Sequence, residues 1–202
     1  MHYRQRFAGH RGCAVLLALI TLLSSSMAEE RLAPFLGSPA FEKQRLFGDQ
    51  RYPNVVVTTK GTVLAVWGND GVSVRRSEDG GKSWKSVISV AEAGYHGGGT
   101  TVDAKSGDIL IFVEDRQPPA PLTVYRSEDD GKSWQAQETT IEKDANGNTP
   151  SMHMNEHGVT LRHGAHQGRL VRPSRYYGPN GGDAEWPFQY TNAIYSDDGG
   201  RS

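Results

Sequence analysis

Short runs of alternating apolar and polar residues follow one another from about position 54, separated by glycine-containing turns. The segment 54–67 has two such runs joined at Lys60-Gly61, and 100–114 and 158–177 have the same form. Alternation over about four to eight residues predicts half-buried strands, and a short glycine turn between two runs predicts a hairpin. The turns of the second and third hairpins are expected at 105–107 and 163–168. The chain is therefore expected to be all-β.

A second pattern, Ser-x-Asp-x-Gly, recurs three times, each time directly after a further strand-like run. The copies begin at Ser77, Ser127 and Ser196, and the first two are completed by Trp84 and Trp134. The Asp carboxylate can accept hydrogen bonds from turn amides, the Gly permits a positive φ, and the Trp is a large apolar anchor. We interpret each copy as a structural hairpin turn. The competing interpretation is a metal or sugar site, but one local carboxylate offers too few ligands for calcium.

Hairpin, loop and motif hairpin together form a unit of four antiparallel strands, labelled A to D in chain order. A strand repeat of this kind is typical of β-propeller blades. Two units are complete, and the third stops inside its C–D turn. Propellers close with about four to eight blades. The chain is therefore interpreted as part of a propeller, with about three blades in residues 47–202.

In such a meander, the segment before strand A and the B–C loop lie at one end, away from the repeat motifs. Polar loops on a rigid scaffold commonly carry function. Arginine holds a carboxylate through two parallel bonds, and tyrosine offers a flat face to a sugar ring. This end is expected to bind an anionic, hydroxyl-rich ligand. The candidates are Arg51, Asp70, His96, Glu114, Arg116, Arg172, Arg175 and Tyr176, with Asp115, His153 and Tyr177 nearby.

Several candidates also have a purely structural interpretation. Asp70, between Gly68-Asn69 and Gly71, fits a turn as well as a site, and Arg51 fits a surface charge. Glu114 and Arg116 fit a simple ion pair, and His96 fits a packed side chain beside three glycines. His153 and His157 lack a third ligand at zinc spacing, so no metal is expected.

The N-terminus predicts export. Three arginines precede the apolar run CAVLLALITLL, and small residues follow up to Ala28, as in a secretory signal peptide of residues 1–28. Residues 29–46 are then a lead-in segment. Cleavage removes three arginines and no acid, which changes the net charge from −1 to −4, and removes the single Cys13. We expect a secreted or periplasmic protein with no membrane span after cleavage, no disulfide and no nucleic-acid partner.

These motifs together resemble the Asp-boxes of the BNR-repeat sialidases, over residues 47–202. RYPNVVVTTKGTVLAVW, 51–67, resembles the family's opening Arg-Ile-Pro segment, and GVTLRHGAHQGRLVRPSRYY, 158–177, resembles its third-blade hairpin. The resemblance implies a six-bladed propeller and an exo-sialidase that needs no cofactor. Its nucleophile is a Tyr helped by a Glu, a separate Asp is the acid/base, and three Arg bind the sialic acid carboxylate.

The resemblance carries over to only some residues. Arg51 matches the first carboxylate-binding Arg, Asp70 lies at the acid/base position, and Glu114 and Tyr176 lie at secondary sugar contacts. The Asp70 loop is shorter than the family pattern and lacks the Arg that precedes the Asp there. The base Glu, the nucleophile Tyr and the other two Arg are not found within the 202 residues.

The sequence therefore predicts a secreted, sialidase-like glycoside hydrolase that releases sialic acid or a related acidic sugar from sialylated or other acidic glycans. The 202-residue chain by itself is expected to be inactive. One alternative is a propeller that binds glycans without catalysis, which the short Asp70 loop favours. Another is a glycosidase or lyase on the same fold that acts on uronic or sulfated sugars.

Overall fold

The computed structural model describes residues 42–48, 51–116, 120–147, 150–152, 156–176 and 190–202. The chain divides into two units, 1–43 and 44–202, and only residues 42 and 43 of the first are described. The expected signal peptide and most of the lead-in thus lie outside the described residues, and both stay predictions. Within the part described, no helix is long and apolar enough to cross a membrane.

The first sheet is the predicted four-stranded antiparallel meander. Its strands are β1 (Asn54–Val57), β2 (Val63–Trp67), β3 (Val72–Ser77) and β4 (Ile88–Ala91), in that order across the sheet. The β1–β2 turn contains Gly61 at φ 85°, as the Lys60-Gly61 dipeptide predicts. Strand β4 begins four residues after Trp84, later than expected, because the Trp still belongs to the motif turn.

The second sheet has five strands: β5 (Tyr95–His96), β6 (Thr101–Val102), β7 (Ile109–Glu114), β8 (Leu122–Ser127) and β9 (Gln135–Gln137). Both β5 and β6 pair with β7, so strand A is interrupted rather than continuous. The expectation that 94–99 is entirely loop is wrong for Tyr95 and His96. Three glycines, 97–99, separate β5 from β6, and the Gly97 amide still donates to the Phe112 carbonyl of β7 (2.8 Å). At Gly99 the chain approaches another segment closely: a Cβ there would lie 1.9 Å from the His157 amide nitrogen.

The third sheet contains β10 (Val159–Thr160), β11 (Leu170–Tyr176) and β12 (Tyr190–Ser196), again antiparallel and in chain order. A separate bridge joins Ser151 to Arg175, beyond the end of β10. For the described residues, the prediction of an all-β structure built from antiparallel meanders is confirmed. The number of blades in the whole protein stays a prediction.

Strand β7 lies between two hydrophobic cores, which explains why all six of its residues are buried. Ile109, Ile111 and Val113 pack with the first sheet, around Leu64 and Val74. The alternate residues Leu110 and Phe112 pack with Val124, Met152 and Leu170. Successive side chains of a strand point to opposite faces. The near-continuous apolar run of β7 therefore holds three sheets together.

The repeat motifs form closed hydrogen-bonded turns. In the first copy, the Ser77 hydroxyl donates to Asp79 Oδ1 (2.7 Å) and accepts from the Gly81 amide (2.8 Å). Asp79 also accepts from the amide (2.9 Å) and hydroxyl (2.5 Å) of Ser83. The second and third copies repeat these contacts, with Asp129 bonded to Ser127 and Ser133 and Asp198 bonded to Ser196 and Ser202. The structural interpretation of the motif is confirmed.

The motif turns also connect neighbouring sheets. Arg76, directly before the first motif, donates from Nε to the carbonyl of Asp130 (2.8 Å) and from Nη2 to its carboxylate (2.9 Å). Arg126, at the same position before the second motif, donates to the carbonyl of Gly199 (2.6 Å). Asp130 and Gly199 hold the same place in successive motifs. Each arginine therefore links its own sheet to the motif turn of the next. We call this end of the sheets, residues 58–62, 77–84, 103–108, 127–134, 161–169 and 196–202, the motif end.

Candidate functional site

The opposite end of the sheets is formed by the segments before each strand A and by the B–C loops. We call it the loop end: residues 51–53, 68–71, 94–100, 114–116, 150–152 and 172–176. Backbone hydrogen bonds join its parts across the first two sheets. The Gly68 amide donates to the Arg51 carbonyl (3.1 Å), and the His96 amide donates to the Gly68 carbonyl (2.9 Å). Among the described residues, these segments lie together at one end of the sheets, as the meander geometry predicts.

Tyr52 has a strained backbone at this end. Its φ is 58°, in the left-handed region that bulky residues rarely adopt, and Pro53 after it normally favours an extended conformation. Such a conformation costs about 1–3 kcal/mol and persists only where surrounding contacts hold it. One such contact is a 3.0 Å hydrogen bond between His96 Nδ1 and the Tyr52 carbonyl. Strain of this kind is typical of functional segments.

Glu114, the last residue of β7, is buried with only 1% of its surface exposed. Its Oε1 accepts hydrogen bonds from the Ser151 hydroxyl (2.6 Å) and the Met152 amide (3.1 Å). Burial raises the pKa of Glu114 to about 7, although these bonds and the charges of Arg172 and Arg175 oppose the rise. A carboxyl group with a pKa near neutrality can accept or release a proton under ordinary conditions.

Arg172 in β11 is the second buried charge at the loop end, with 4% of its surface exposed. Its guanidinium lies 3.9 Å from the centre of the Phe112 ring, and Nη1 donates to the Gly99 carbonyl (3.2 Å). Nε and Nη2 have no hydrogen-bond acceptor among the described residues. Burial lowers the pKa of Arg172 to about 9, and the charge of Glu114 opposes that shift. The group therefore carries a positive charge at neutral pH.

Three of the predicted residues are exposed. Arg51 precedes the strained Tyr52 and stacks over its ring at 5.0 Å. Asp70 lies in the short turn between β2 and β3, and a hydrogen bond from the Gly71 amide to the Gly94 carbonyl (3.0 Å) joins this turn to the segment before β5. Arg116 follows β7. These three side chains are exposed, whereas those of His96, Glu114 and Arg172 are buried.

The remaining predicted residues lie on or near β11. Arg175 is half-buried and forms a backbone bridge with Ser151, with bonds of 2.7 and 2.9 Å. Tyr176 pairs with Tyr190 at the end of the strand, and its side chain lies outside the described residues. The nearby candidates His153 and Tyr177 also lie outside them, as does the loop from 177 to 189. Their contribution to the site stays a prediction.

Three residues in or beside the loop end were not identified from the sequence. Ser151 and Met152 bond to Glu114, and Phe112 stacks with Arg172. Ser151 lies in a segment that the meander geometry assigns to this end, so its position was predictable but its role as a donor was not. Among the described residues, no group of three or more His, Cys, Asp or Glu side chains is arranged to hold a metal ion.

No protein-family model matches the chain, and no curated protein matches it. Solved structures do match. A protein of unknown function from Dyadobacter fermentans aligns with a TM-score of 0.51 and 20% identity, over 78% of this chain and 50% of its own. At this identity the likeness shows a shared fold and nothing further.

Two glycoside hydrolases match with lower TM-scores. One is an α-L-arabinanase from Penicillium chrysogenum solved with arabinobiose (TM-score 0.45, 17% identity, 74% of this chain and 46% of that one). The other is an α-L-arabinofuranosidase from Fusarium graminearum solved with an iminosugar inhibitor (TM-score 0.46, 16% identity, 74% and 45%). The chain spans about half the length of these structures. The resemblance to sialidases stays a prediction.

Proposed function

We propose that the loop end contributes to the substrate site of an exported glycoside hydrolase that releases a terminal acidic sugar, with sialic acid as the first candidate. The observation that carries the proposal is the arrangement of charges at this end. Two exposed residues, Arg51 and Asp70, lie at the same end of the sheets as a buried group of ionisable side chains, His96, Glu114 and Arg172. The activity is proposed for the whole protein.

Arg51 is proposed to anchor the substrate carboxylate. Its guanidinium is exposed at the loop end and always charged, and it offers a fork of donors that matches a carboxylate. The strained Tyr52 beside it gives the segment a defined shape rather than that of a mobile loop. Arg116 and Arg175 are proposed to add positive charge around the same ligand, and Tyr176 to contact the sugar ring.

Asp70 is proposed as the general acid that protonates the leaving oxygen of the glycan. Its turn is bonded to the backbone of Arg51 through the Gly68 amide and to Gly94 through the Gly71 amide, which keeps the main chain of Asp70 close to that of Arg51. A glycosidase requires such a group beside the scissile bond. The short loop and the full exposure of Asp70 also suit a propeller that binds an acidic glycan without cleaving it, and this is the second candidate function.

The buried pair of Glu114 and Arg172 supports an anionic ligand over a neutral one. A buried guanidinium has a long-range positive potential because the protein interior screens charge poorly. With a pKa of about 7, Glu114 neutralises this charge only in part near neutral pH. The described loop-end residues include four arginines, Arg51, Arg116, Arg172 and Arg175, against the acids Asp70, Glu114 and Asp115, and this excess favours a carboxylate-bearing sugar. Because only 1% of its surface is exposed, Glu114 is proposed to act indirectly, through its charge near Arg172, and not as the direct sugar contact that the resemblance implies.

The test uses the full-length protein and three aryl glycosides: an α-sialoside, a β-glucuronide and the neutral α-L-arabinofuranoside. We expect turnover of the sialoside. Arg51→Ala should lower kcat/KM for it by roughly 100-fold, the effect of losing a charge-assisted contact worth about 3 kcal/mol. Asp70→Asn should lower kcat. The matched control is Arg162→Ala, which removes an exposed arginine from the motif end.

Each substrate outcome has a distinct meaning. Turnover of the glucuronide instead of the sialoside would support a site for acidic sugars, with a uronic acid and not sialic acid as the substrate. Turnover of the arabinofuranoside with no effect of Arg51→Ala would refute carboxylate anchoring. Binding of sialyllactose by calorimetry without any turnover, lost in Arg51→Ala, would establish the non-catalytic glycan-binding function.

A further inference from the structure

His96 connects the two segments that carry the proposed substrate-contacting residues. Its side chain bonds to the carbonyl of Tyr52 through Nδ1 (3.0 Å), next to Arg51. Its main-chain amide donates to the carbonyl of Gly68 (2.9 Å), at the start of the turn that carries Asp70. One residue of the second sheet therefore contacts both functional segments of the first.

The direction of the side-chain bond follows from its chemistry. A carbonyl oxygen can only accept, so Nδ1 carries the proton and donates it to Tyr52. Burial lowers the pKa of His96 to about 4, although the Tyr52 bond opposes this, so the ring is neutral at the pH of ordinary function. Nε2 is then an unprotonated acceptor. The tautomer is thereby fixed by the contact itself.

The burial of His96 argues against direct contact with a sugar. Only 1% of its surface is exposed, and Nε2 has no hydrogen-bond partner among the described residues. The strained backbone of Tyr52 needs a contact that holds it, and the Nδ1 bond is such a contact. The imidazole thus bonds to the backbone of Tyr52, whereas the neighbouring Arg51 is exposed.

We infer that His96 is a positioning residue, which holds the strained Arg51–Pro53 segment and the Asp70 turn in the geometry that the substrate requires. This inference rests on the proposed function of Arg51 and Asp70. It revises the sequence-based expectation for His96 from a direct substrate contact to an indirect one. The proposed ligand is still an acidic sugar that binds through its carboxylate.

Two amide substitutions separate the positioning bond from general packing. In His96→Asn, the side-chain amide nitrogen takes the place of Nδ1 and can donate to the Tyr52 carbonyl. In His96→Gln, the amide reaches the place of Nε2 and leaves the Tyr52 carbonyl without this donor. Both variants bury a neutral amide. A difference between them therefore reports on the donor at the Nδ1 position.

Activity of the full-length protein on the aryl α-sialoside is the first readout. We expect His96→Gln to lower kcat/KM by roughly tenfold or more, since a displacement of about 1 Å at a site has effects of that size. His96→Asn should recover most of the loss. Equal losses in both variants, or none in either, would overturn the positioning role.

Amide hydrogen exchange is the second readout, and it does not depend on turnover. We expect His96→Gln to speed exchange at Gly68, whose amide donates to the Arg51 carbonyl, while His96→Asn leaves it near the wild-type rate. If wild type does not cleave the sialoside, the proposed function fails, but this exchange pattern still decides the positioning role. Unchanged exchange at Gly68 in His96→Gln would refute it.

Discussion

The two ends of the sheets use carboxylates in opposite ways. At the motif end, Asp129 accepts from serine hydroxyls and turn amides; partial burial opposes the effect, but the bonds from Ser133 and Ser127 lower its pKa to about 2. At the loop end, Glu114 likewise accepts from a serine hydroxyl and a backbone amide, yet burial raises its pKa to about 7. Asp129 and Glu114 thus accept hydrogen bonds from similar donors, but their pKa values shift in opposite directions.

Access to water explains the difference. The motif carboxylates lie in surface turns, where several hydrogen bonds together outweigh desolvation and favour the charged state. Glu114 lies under the loop end, where desolvation outweighs the same kind of bonds. The motif end therefore holds permanent charges that close turns, and the loop end holds a group whose charge can change. Stability is concentrated at the first end, and the proposed chemistry at the second.

The largest expected effect is at Asp130, a carboxylate of the motif end that is buried, unlike the motif carboxylates in the surface turns. Asp130 accepts from the hydroxyls of Thr58 and Thr62, each at 2.6 Å, and forms an ion pair with Arg76. Asp130→Asn should lower the free energy of unfolding by about 3 kcal/mol, because the buried Arg76 loses its buried partner and, among the described residues, keeps only the exposed Glu78. Urea unfolding measures this, with exposed Glu128→Gln as the control. Equal stability of the two variants would contradict the linking role of Arg76.

The variant Glu114→Gln tests the raised pKa of Glu114 through the pH dependence of protein stability. The folded pKa of Glu114 lies above its unfolded value of about 4.3, so its favourable neutral state is fully present below pH 4 and lost as pH rises through 7. Wild-type stability should fall relative to the variant by on the order of 3 kcal/mol between pH 4 and 8. Urea unfolding across that range measures the difference. A difference that does not change with pH would refute the raised pKa.

A pair of glycines tests packing under the motif turns. Gly131 has φ 79° and a Cβ there would lie 3.0 Å from Leu64, whereas Gly80 has φ 73° with open space around it. Gly80→Ala should cost about 1 kcal/mol from backbone strain alone. Gly131→Ala should cost about 1–3 kcal/mol more, since it also overpacks the core. Chemical unfolding compares the two, and equal losses would show that the Leu64 contact is unimportant.

The smallest expected effect is the titration of one motif carboxylate. The depressed pKa of Asp129 stabilises the fold above its unfolded pKa of about 3.9, and this is lost as pH falls through about 2. Ser133→Ala removes one hydroxyl donor and should raise the pKa of Asp129 toward the unfolded value. Carbon-13 NMR of the carboxyl group measures the midpoint. An unchanged midpoint would assign the depressed pKa to the Ser127 hydroxyl and the turn amides.

Local patterns were sufficient for the strands and turns. Alternation located β1 and β2 and their glycine turn, and the motif predicted hairpin turns in three places. Alternation could not locate β5, because two strand residues beside three glycines carry no periodic signal. It also could not anticipate that Asp130 would bond to Thr58, since that contact depends on how separate sheets pack.

The sequence predicted which residues lie together at the loop end, but it did not predict which of them are buried. Meander geometry correctly brought Arg51, His96 and Glu114 to one end. It could not tell that Arg51 would be exposed while the other two are buried, because burial depends on the sheets that pack above and below each loop. The pKa of Glu114 and the contact of His96 with Tyr52 follow from that packing.

The most direct test of the account measures activity and stability together in one variant from each end. In the full-length protein, Arg51→Ala should lower kcat/KM for the aryl α-sialoside by roughly 100-fold while its free energy of unfolding stays within about 0.5 kcal/mol of wild type. Asp129→Asn should show the reverse: reduced stability, with unchanged kcat/KM per folded molecule. Loss of activity in Asp129→Asn with full activity in Arg51→Ala would contradict the division between a structural motif end and a functional loop end.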